Sequence, residues 1–141
     1  MKLMKIGQMK MTKIGVRKMS DFKTLFNKQA ENQRMMFEKG MYDSFIENDG
    51  KYTELPVDEP RLASYHIQQL MSEIGEVLDA DKRWKNFRNT FYNKDAKLEE
   101  LADCFVVLMN VAMFSGFEAD DVYNAVLEKI EVVGRRIADN K

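Results

Sequence analysis

Residues 96–116, AKLEELADCFVVLMNVAMFSG, form the most continuously apolar stretch of the chain. Their polar positions recur at helical spacing, and Gly116 is a residue type that commonly ends a helix. The stretch therefore predicts a helix over about residues 96–115 that is apolar almost all round. A helix of this kind is usually buried, so we expect it to be central in the fold.

Three further segments have helical periodicity. Ser20 is a favourable N-cap and predicts a first helix from Asp21 towards Gly40. Pro60 follows two acidic residues and suits the first turn of a second helix, which is expected to run to about Asp81. A last helix is predicted over about residues 118–139. Four helices with mostly short connections predict an all-α, four-helix-bundle-like fold.

The apolar stripes of these helices predict which faces are buried. The first helix is expected to turn Phe22, Leu25 and Phe26 inward. The predicted core face of the second helix consists of Ile67, Leu70, Met71, Ile74, Val77 and Leu78, and the stripe of the last helix consists of Val122, Val126, Ile130, Val133 and Ile137.

Composition and charge favour one helical domain and exclude several classes of protein. The chain has 141 residues, of which 45% are apolar and only nine are Gly or Pro, so a disordered or turn-rich β protein is disfavoured. Residues 1–19 carry six basic residues and no acid, and we treat them as a basic N-terminal extension of a domain over residues 20–141. The rest of the chain is acidic, which argues against nucleic-acid binding.

The location of the protein is predicted from what its sequence lacks. No apolar run approaches the roughly 18 residues that a membrane span needs, and lysines interrupt the N-terminus where a signal peptide would be apolar. The single cysteine, Cys104, lies in an apolar run and is expected to be a buried, inert thiol. We therefore predict a cytoplasmic protein without a membrane partner.

Two pairs of acids carry the predicted chemistry. Glu73 and Glu76 project from one side of the second helix, and Glu100 and Asp103 belong to the polar strip of the third helix. A buried carboxylate without compensation costs several kcal/mol, so converging acids need a cation. Mg²⁺, with Mn²⁺ as a possible substitute, prefers such oxygen ligands, whereas zinc would need more His and Cys. A lone Glu-x-x-Glu is usually a surface feature, but two facing pairs favour a metal site.

These pairs resemble a known motif. Glu73-Ile-Gly-Glu76, followed 24 residues after Glu76 by Glu100-Leu-Ala-Asp103, is similar to the motif of MazG-like, all-α nucleoside triphosphate pyrophosphohydrolases, a superfamily that includes dimeric dUTPases. The resemblance covers about residues 64–137. It implies a hydrolase that converts a nucleoside triphosphate and water into the monophosphate and pyrophosphate, acts on deoxynucleotides, and assembles as a homodimer or homotetramer.

The resemblance also implies roles for single residues. Glu73 is expected to position the attacking water as well as bind metal. Lys129 and Arg136, seven residues apart, match a cationic pair that contacts phosphate in the family, and helical geometry independently puts both on one side of the last helix.

Residues that recognise the rest of the substrate are predicted from residue type and helical phase. Trp84, with Phe87 and Tyr92, offers a surface for stacking on a base, and Lys85 and Arg88, with Lys82, offer positive charge to phosphate. All are equally typical of ordinary packing and surface positions. Gln69 and His66 continue the stripe of Glu73 one and two turns earlier, although His66 is also typical of a structural histidine.

Three alternative functions remain open at this point. One is a dUTPase-like hydrolase of dUTP or dUDP from the same superfamily, which the basic-Trp-basic run Arg83-Trp84-Lys85 favours. Another is a non-catalytic helical module that binds nucleotide or a protein partner. The third is a di-iron carboxylate bundle, which would need Glu-x-x-His pairs that the sequence does not contain.

Overall fold

The computed structural model describes residues 20–44, 46–47, 51–85 and 92–140. These residues form four α-helices and no strand: α1 (Ser20–Glu38), α2 (Pro60–Ala80), α3 (Lys94–Phe114) and α4 (Ala119–Asp139). The predicted all-α fold is confirmed, and each helix begins and ends within two residues of its predicted bounds. The basic extension over residues 1–19 lies outside the described residues. In the described ranges no helix is long and apolar enough to cross a membrane.

The helix ends lie where the sequence predicts them because caps and glycines specify them. Glu59 is the N-cap of α2, and its carboxylate accepts from the backbone N–H of Arg61 at 3.2 Å while Pro60 occupies the first turn. Gly40 and Gly116 have positive φ values of 72° and 83°, which glycine adopts without strain. These glycines therefore end α1 and α3 as predicted.

The chain divides into two compact units, which are described separately. The first contains the start of α1, up to Lys28, together with α4. Phe22 lies 6.3 Å from the ring of Tyr123, and Lys23 lies 3.8 Å from Asp120. The second unit spans residues 29–118 and contains α2 and α3. The single domain over residues 20–141 stays a prediction.

In the second unit, α2 and α3 form an antiparallel pair that is tied at both ends. Before α2, the backbone N–H of Glu59 donates to the carbonyl of Phe114, at the end of α3, at 2.8 Å. After α2, Asp81 accepts a hydrogen bond from Lys97, in the first turn of α3, at 2.9 Å. Two helices tied in this way run in opposite directions, so residues 73–76 lie at the level of residues 100–103.

An aromatic cluster forms the core beside this pair. The ring of Phe37 stacks on Tyr52 at 4.5 Å, and the ring of Phe114 stacks on His66 at 5.4 Å. Tyr42 lies between them and packs against both Phe37 and Phe114. All five side chains are buried. The segment between α1 and α2 thus contributes Tyr42 and Tyr52 to the core.

The predicted core face of α2 is wrong at four of its six positions. The exposed residues are Ile67, Met71, Ile74 and Leu78, whereas the buried positions of α2 are Leu62, Ala63 and His66. Likewise α3 is not buried all round, and the inward-facing Leu25 of α1 is exposed, as are Val126, Ile130, Val133 and Ile137 of α4. Periodicity identifies an apolar face, but it does not show what covers that face.

The contribution of the aromatic core is testable at two phenylalanines three residues apart. Phe114 is fully buried, so we expect Phe114→Ala to lower the free energy of unfolding by about 3–5 kcal/mol. Phe117 is 52% exposed, and Phe117→Ala should change it by less than about 1 kcal/mol. Urea denaturation of both variants measures the difference, and similar losses in the two would contradict this description of the core.

Candidate metal centre

Three of the predicted metal-binding acids meet across the α2–α3 interface. Glu73 and Glu76 come from α2 and Glu100 from α3, and each offers a carboxylate oxygen that lies within 4.8 Å of the other two. Glu73 and Glu100 are partly buried, while Glu76 is exposed. The antiparallel pairing of the helices produces this cluster, because it sets Glu76 opposite Glu100.

Two oxygens of the cluster are buried without compensation. Glu73 Oε2 and Glu100 Oε2 have no hydrogen-bond partner among the residues that the structure describes. A buried oxygen that loses its hydrogen bonds to water and gains none in the fold costs free energy. Such oxygens on two neighbouring acids are unusual in a folded protein, and a cation bound between them would compensate for their burial.

Electrostatics in the cluster point the same way. Burial raises the pKa of Glu73 above its usual value, and the carboxylates of Glu76 and Asp103 raise it further. For Glu100, hydrogen bonding with Glu76 raises the pKa most, and burial and the neighbouring acids add to the effect. The neighbouring carboxylates therefore make the ionisation of Glu73 and Glu100 less favourable, and a dication would reverse that effect.

Asp103 lies at the edge of this cluster. It is exposed and is not among the three acids whose oxygens lie within 4.8 Å of one another. Its charge nevertheless raises the pKa of both Glu73 and Glu100, so it is close enough to interact with each. The structure therefore brings three of the four predicted ligands together and leaves the fourth beside them.

The thiol of Cys104 borders the same acids. Burial raises its pKa first, and Glu73, Asp103 and Glu100 raise it further. A thiol with a raised pKa stays protonated at neutral pH and is a poor nucleophile. Cys104 is only partly buried, not buried as predicted, but its raised pKa fits the predicted inert thiol.

Gln69 and His66, one and two turns before Glu73, belong to a hydrogen-bonded chain of side chains. Nδ1 of His66 and Oε1 of Gln69 are 3.1 Å apart, and Nε2 of His66 is 3.1 Å from the hydroxyl of Tyr42, which donates to Gln33. His66 is only 2% exposed, and its burial lowers its pKa, so the ring is neutral at pH 7. These features fit the structural histidine that the sequence left as an alternative.

The other predicted substrate-binding residues are distributed more widely. Lys129 and Arg136 are exposed on α4, in the first unit. Trp84 is 62% exposed in a short 3₁₀ helix after α2, and its indole N–H donates to the carbonyl of Leu78 at 3.3 Å. Lys85 is exposed beside it, and Arg88 lies outside the described residues.

An ionic cluster around the buried Asp81, one turn from the acids, was not predicted. Asp81 is 8% exposed, and its carboxylate accepts hydrogen bonds from Nε and Nη2 of Arg83 at 2.8 and 2.7 Å and from Nζ of Lys97 at 2.9 Å. The bonds from Arg83 hold the pKa of Asp81 well below its usual value. The sequence shows a run of charges here, but only the pairing of α2 with α3 brings Lys97 to Asp81.

Comparison with known proteins agrees with the motif. Residues 63–136 match the MazG nucleotide pyrophosphohydrolase domain, and they make up a little more than half of the chain. The chain belongs to this family. No curated protein and no solved structure matches it.

Membership of the MazG family defines the general activity of the chain. It is a hydrolase that acts on phosphoric anhydride bonds of nucleoside triphosphates, and enzymes of this family generally depend on divalent metal ions. The match includes both acid pairs as well as Lys129 and Arg136. It also agrees closely with residues 64–137, over which the sequence resembles the family.

The repulsion among the clustered carboxylates predicts how the stability of the protein responds to metal. Glu100→Gln removes one charge and supplies an N–H donor to Glu76, so without metal this variant should have a higher Tm than the wild type at pH 7. Mg²⁺ should raise the Tm of the wild type increasingly as its concentration exceeds the Kd, and it should leave that of Glu100→Gln nearly unchanged. Scanning calorimetry with and without Mg²⁺ measures both effects.

Glu99→Gln is the matched control, because Glu99 is exposed and adjacent in sequence but is not one of the three clustered acids. It should behave as the wild type does. An equal response to Mg²⁺ in wild type, Glu99→Gln and Glu100→Gln would contradict a metal site at this cluster.

Proposed function

We propose that this chain is a Mg²⁺-dependent nucleoside triphosphate pyrophosphohydrolase that acts on deoxynucleotides. One observation carries the proposal: three carboxylates from two helices converge, and two of their oxygens are buried without a hydrogen-bond partner among the described residues. Such a set of oxygens matches what Mg²⁺ requires, and Mn²⁺ is a reasonable substitute. Glu73, Glu76 and Glu100 would hold the ion, with Asp103 as the fourth ligand.

The chemistry of the proposed reaction needs little beyond positioning and charge. A bound dication would neutralise the triphosphate and make its phosphorus more electrophilic. Glu73 is the acid that would position the attacking water, because it lies partly buried in the cluster and has a buried oxygen without a hydrogen-bond partner among the described residues. Gln69, fixed through His66, lies one turn before Glu73 on α2 and is placed to contact the substrate or its water.

Cationic and aromatic residues complete the proposed substrate site. Lys129 and Arg136 contact the phosphates, which the family resemblance and their shared side of α4 support. Lys85 and Arg88 add positive charge, and Trp84 offers an exposed indole to the base. In this proposal the products of the reaction are a deoxynucleoside monophosphate and pyrophosphate. The enzyme is also proposed to be cytoplasmic.

Two other functions remain as alternatives to this proposal. A dUTPase-like enzyme would use the same acids and differ only in the base that it accepts. A non-catalytic nucleotide-binding or interaction module would not need four acids at the metal site, and their retention favours catalysis.

The proposed activity is tested with a panel of the eight common nucleoside triphosphates plus dUTP, with Mg²⁺ and detection of pyrophosphate. We expect release of pyrophosphate from deoxynucleotides and a loss of kcat/KM of at least about 100-fold in Glu76→Gln, since even an indirect partner of a metal site is worth 10–100-fold. Asp79→Asn is the control, because Asp79 is an exposed acid three residues further along α2.

Normal turnover in Glu76→Gln would contradict the proposed metal site. Metal-dependent binding of a nonhydrolysable triphosphate without any turnover would instead identify the non-catalytic module. Exclusive hydrolysis of dUTP would identify the dUTPase-like enzyme.

We also propose that the protein is a homodimer or homotetramer. Exposed apolar residues recur on α2 at Ile67, Met71, Ile74 and Leu78 and on α3 at Leu98, Leu101, Phe105 and Leu108, with the alternating spacing of three and four that helix pairs bury. Large apolar patches on a folded protein usually mark an interface. A second copy of the chain supplies matching stripes without a further partner.

Light scattering coupled to size exclusion tests the assembly. We expect a mass of at least twice 16.5 kDa for the wild type and a shift towards the monomer for Phe105→Glu, because Phe105 is 62% exposed within the α3 stripe. Phe117→Glu, at a similarly exposed phenylalanine beyond the end of α3, should leave the mass unchanged. A monomeric wild type would contradict this proposal.

A further inference from the structure

An open pocket of about 510 Å³ lies between the C-terminal end of α2 and the first turn of α3. Its walls combine an apolar side, an indole and an ionic cluster, formed by Val77, Leu78, Trp84, Asp81, Arg83 and Lys97. Pockets of this volume accept small molecules, and a few fixed polar groups within an apolar lining set their specificity. The proposed substrate site uses Trp84 from this lining and gives the other lining residues no role.

The pocket adjoins the acid cluster along both helices. Lys97 precedes Glu100 by three residues on α3, so the two side chains lie on neighbouring turns of the same helix face. Asp81 follows Glu76 by five residues, which is a rise of about 7.5 Å along a helix. A nucleotide whose phosphates reach the acids would therefore direct its sugar and base towards this pocket.

Hydrogen bonding inside the pocket leaves donors but no free acceptor on the lining side chains. Oδ1 of Asp81 accepts from the backbone N–H and Nε of Arg83, and Oδ2 accepts from Nη2 of Arg83 and Nζ of Lys97. Both oxygens are therefore occupied, and the carboxylate is only 8% exposed. The indole N–H of Trp84 is likewise used by the carbonyl of Leu78.

Lys97 has N–H donors that remain available to a ligand. An ammonium has three N–H bonds, and Asp81 takes one of them at 2.9 Å. The side chain remains 41% exposed, so its other donors are available to a ligand. The contact with Asp81 also restricts where the ammonium can lie. The guanidinium of Arg83 is fixed as well, because its carbon lies 3.5 Å above the ring of Tyr92.

We propose that this pocket binds the base of the nucleotide and that Lys97, held by Asp81, selects bases with a carbonyl oxygen where cytosine and adenine carry an amino group. The inference rests on the proposed function and deepens it by naming the substrate class as nucleotides of uracil, thymine and guanine. Trp84 supplies the stacking surface and the ammonium donates to the carbonyl. An amino group at that position would face a donor and lose its own hydrogen bonds.

The decisive comparison is between dUTP and dCTP, because the uracil and cytosine rings differ at the carbonyl that Lys97 would contact and at the adjacent nitrogen. We expect the wild type to have a kcat/KM about tenfold higher for dUTP, the lower range for one well-placed hydrogen bond to a base. Lys97→Met should lower the value for dUTP about tenfold and change that for dCTP little, while Lys97→Arg should keep the preference. Lys94→Met, at an exposed lysine in the same turn of α3, is the control.

Fluorescence makes the pocket testable even without turnover. Trp84 is the only tryptophan in the chain, so quenching of its emission reports directly on ligands in the pocket. Nonhydrolysable analogues of dUTP and dCTP are titrated with Mg²⁺ into wild type, Lys97→Met and Lys94→Met. The proposal is supported if the dUTP analogue has a lower Kd than the dCTP analogue and only Lys97→Met loses this difference. This result would support base binding in the pocket even if no nucleotide is hydrolysed and the proposed function has failed.

Three results would overturn the inference. The first is a wild type that treats dUTP and dCTP alike in both assays. The second is an equal loss for both nucleotides in Lys97→Met, together with quenching by inorganic tripolyphosphate that depends on Lys97, since Lys97 would then contact phosphate. The third is tight binding of the analogues without any change in the emission of Trp84, which would locate the base elsewhere.

Discussion

The mutual repulsion of carboxylates held between two fixed helices is the constraint on which this structure depends. Glu73, Glu76 and Glu100 cannot separate by moving α2 away from α3, because bonds join the helices on both sides of the cluster. Glu59 is tied to Phe114 at one end, and Asp81 is tied to Lys97 at the other. The fold thus keeps in place an arrangement that is unfavourable without a cation, as expected where binding residues are organised before their ligand arrives.

Two clusters of different charge lie next to each other along the α2–α3 pair. The acids lie in the middle of α2. One turn further towards its C-terminal end, Asp81 accepts hydrogen bonds from Arg83 and Lys97, whose remaining N–H groups are donors. A nucleoside triphosphate has a complementary sequence of groups, with anionic oxygens that need a metal, then a sugar, then a base whose edge accepts or donates hydrogen bonds. The order of the two clusters therefore matches the order of the groups in the proposed substrate.

Local signals made the helices and the acids predictable. Glu59 with Pro60 specified the start of α2, and Gly116 specified the end of α3, so the helix bounds lay within two residues of expectation. The spacing of Glu73, Glu76, Glu100 and Asp103 was sufficient to recognise the family. Once two antiparallel helices are formed, such spacing leaves few ways to arrange the acids.

Features that depend on distant contacts were not predictable. The stripe Ile67, Met71, Ile74 and Leu78 has the period of a core face but is exposed, because periodicity carries no information about the covering surface. His66 pairs with Tyr42, which lies in the segment between α1 and α2, and the periodicity of α2 does not indicate this contact. The contact between Asp81 and Lys97, sixteen residues apart in sequence, depends on the pairing of α2 with α3.

A crystal structure of the protein with Mn²⁺ and a nonhydrolysable deoxynucleoside triphosphate would show whether the three acids bind metal, because anomalous scattering identifies the position of the manganese. We predict a manganese peak within about 2.0–2.4 Å of oxygens from Glu73, Glu76 and Glu100, with the phosphates on the same ion. Manganese bound elsewhere, or nucleotide bound with these three carboxylates still facing one another without an ion, would contradict it.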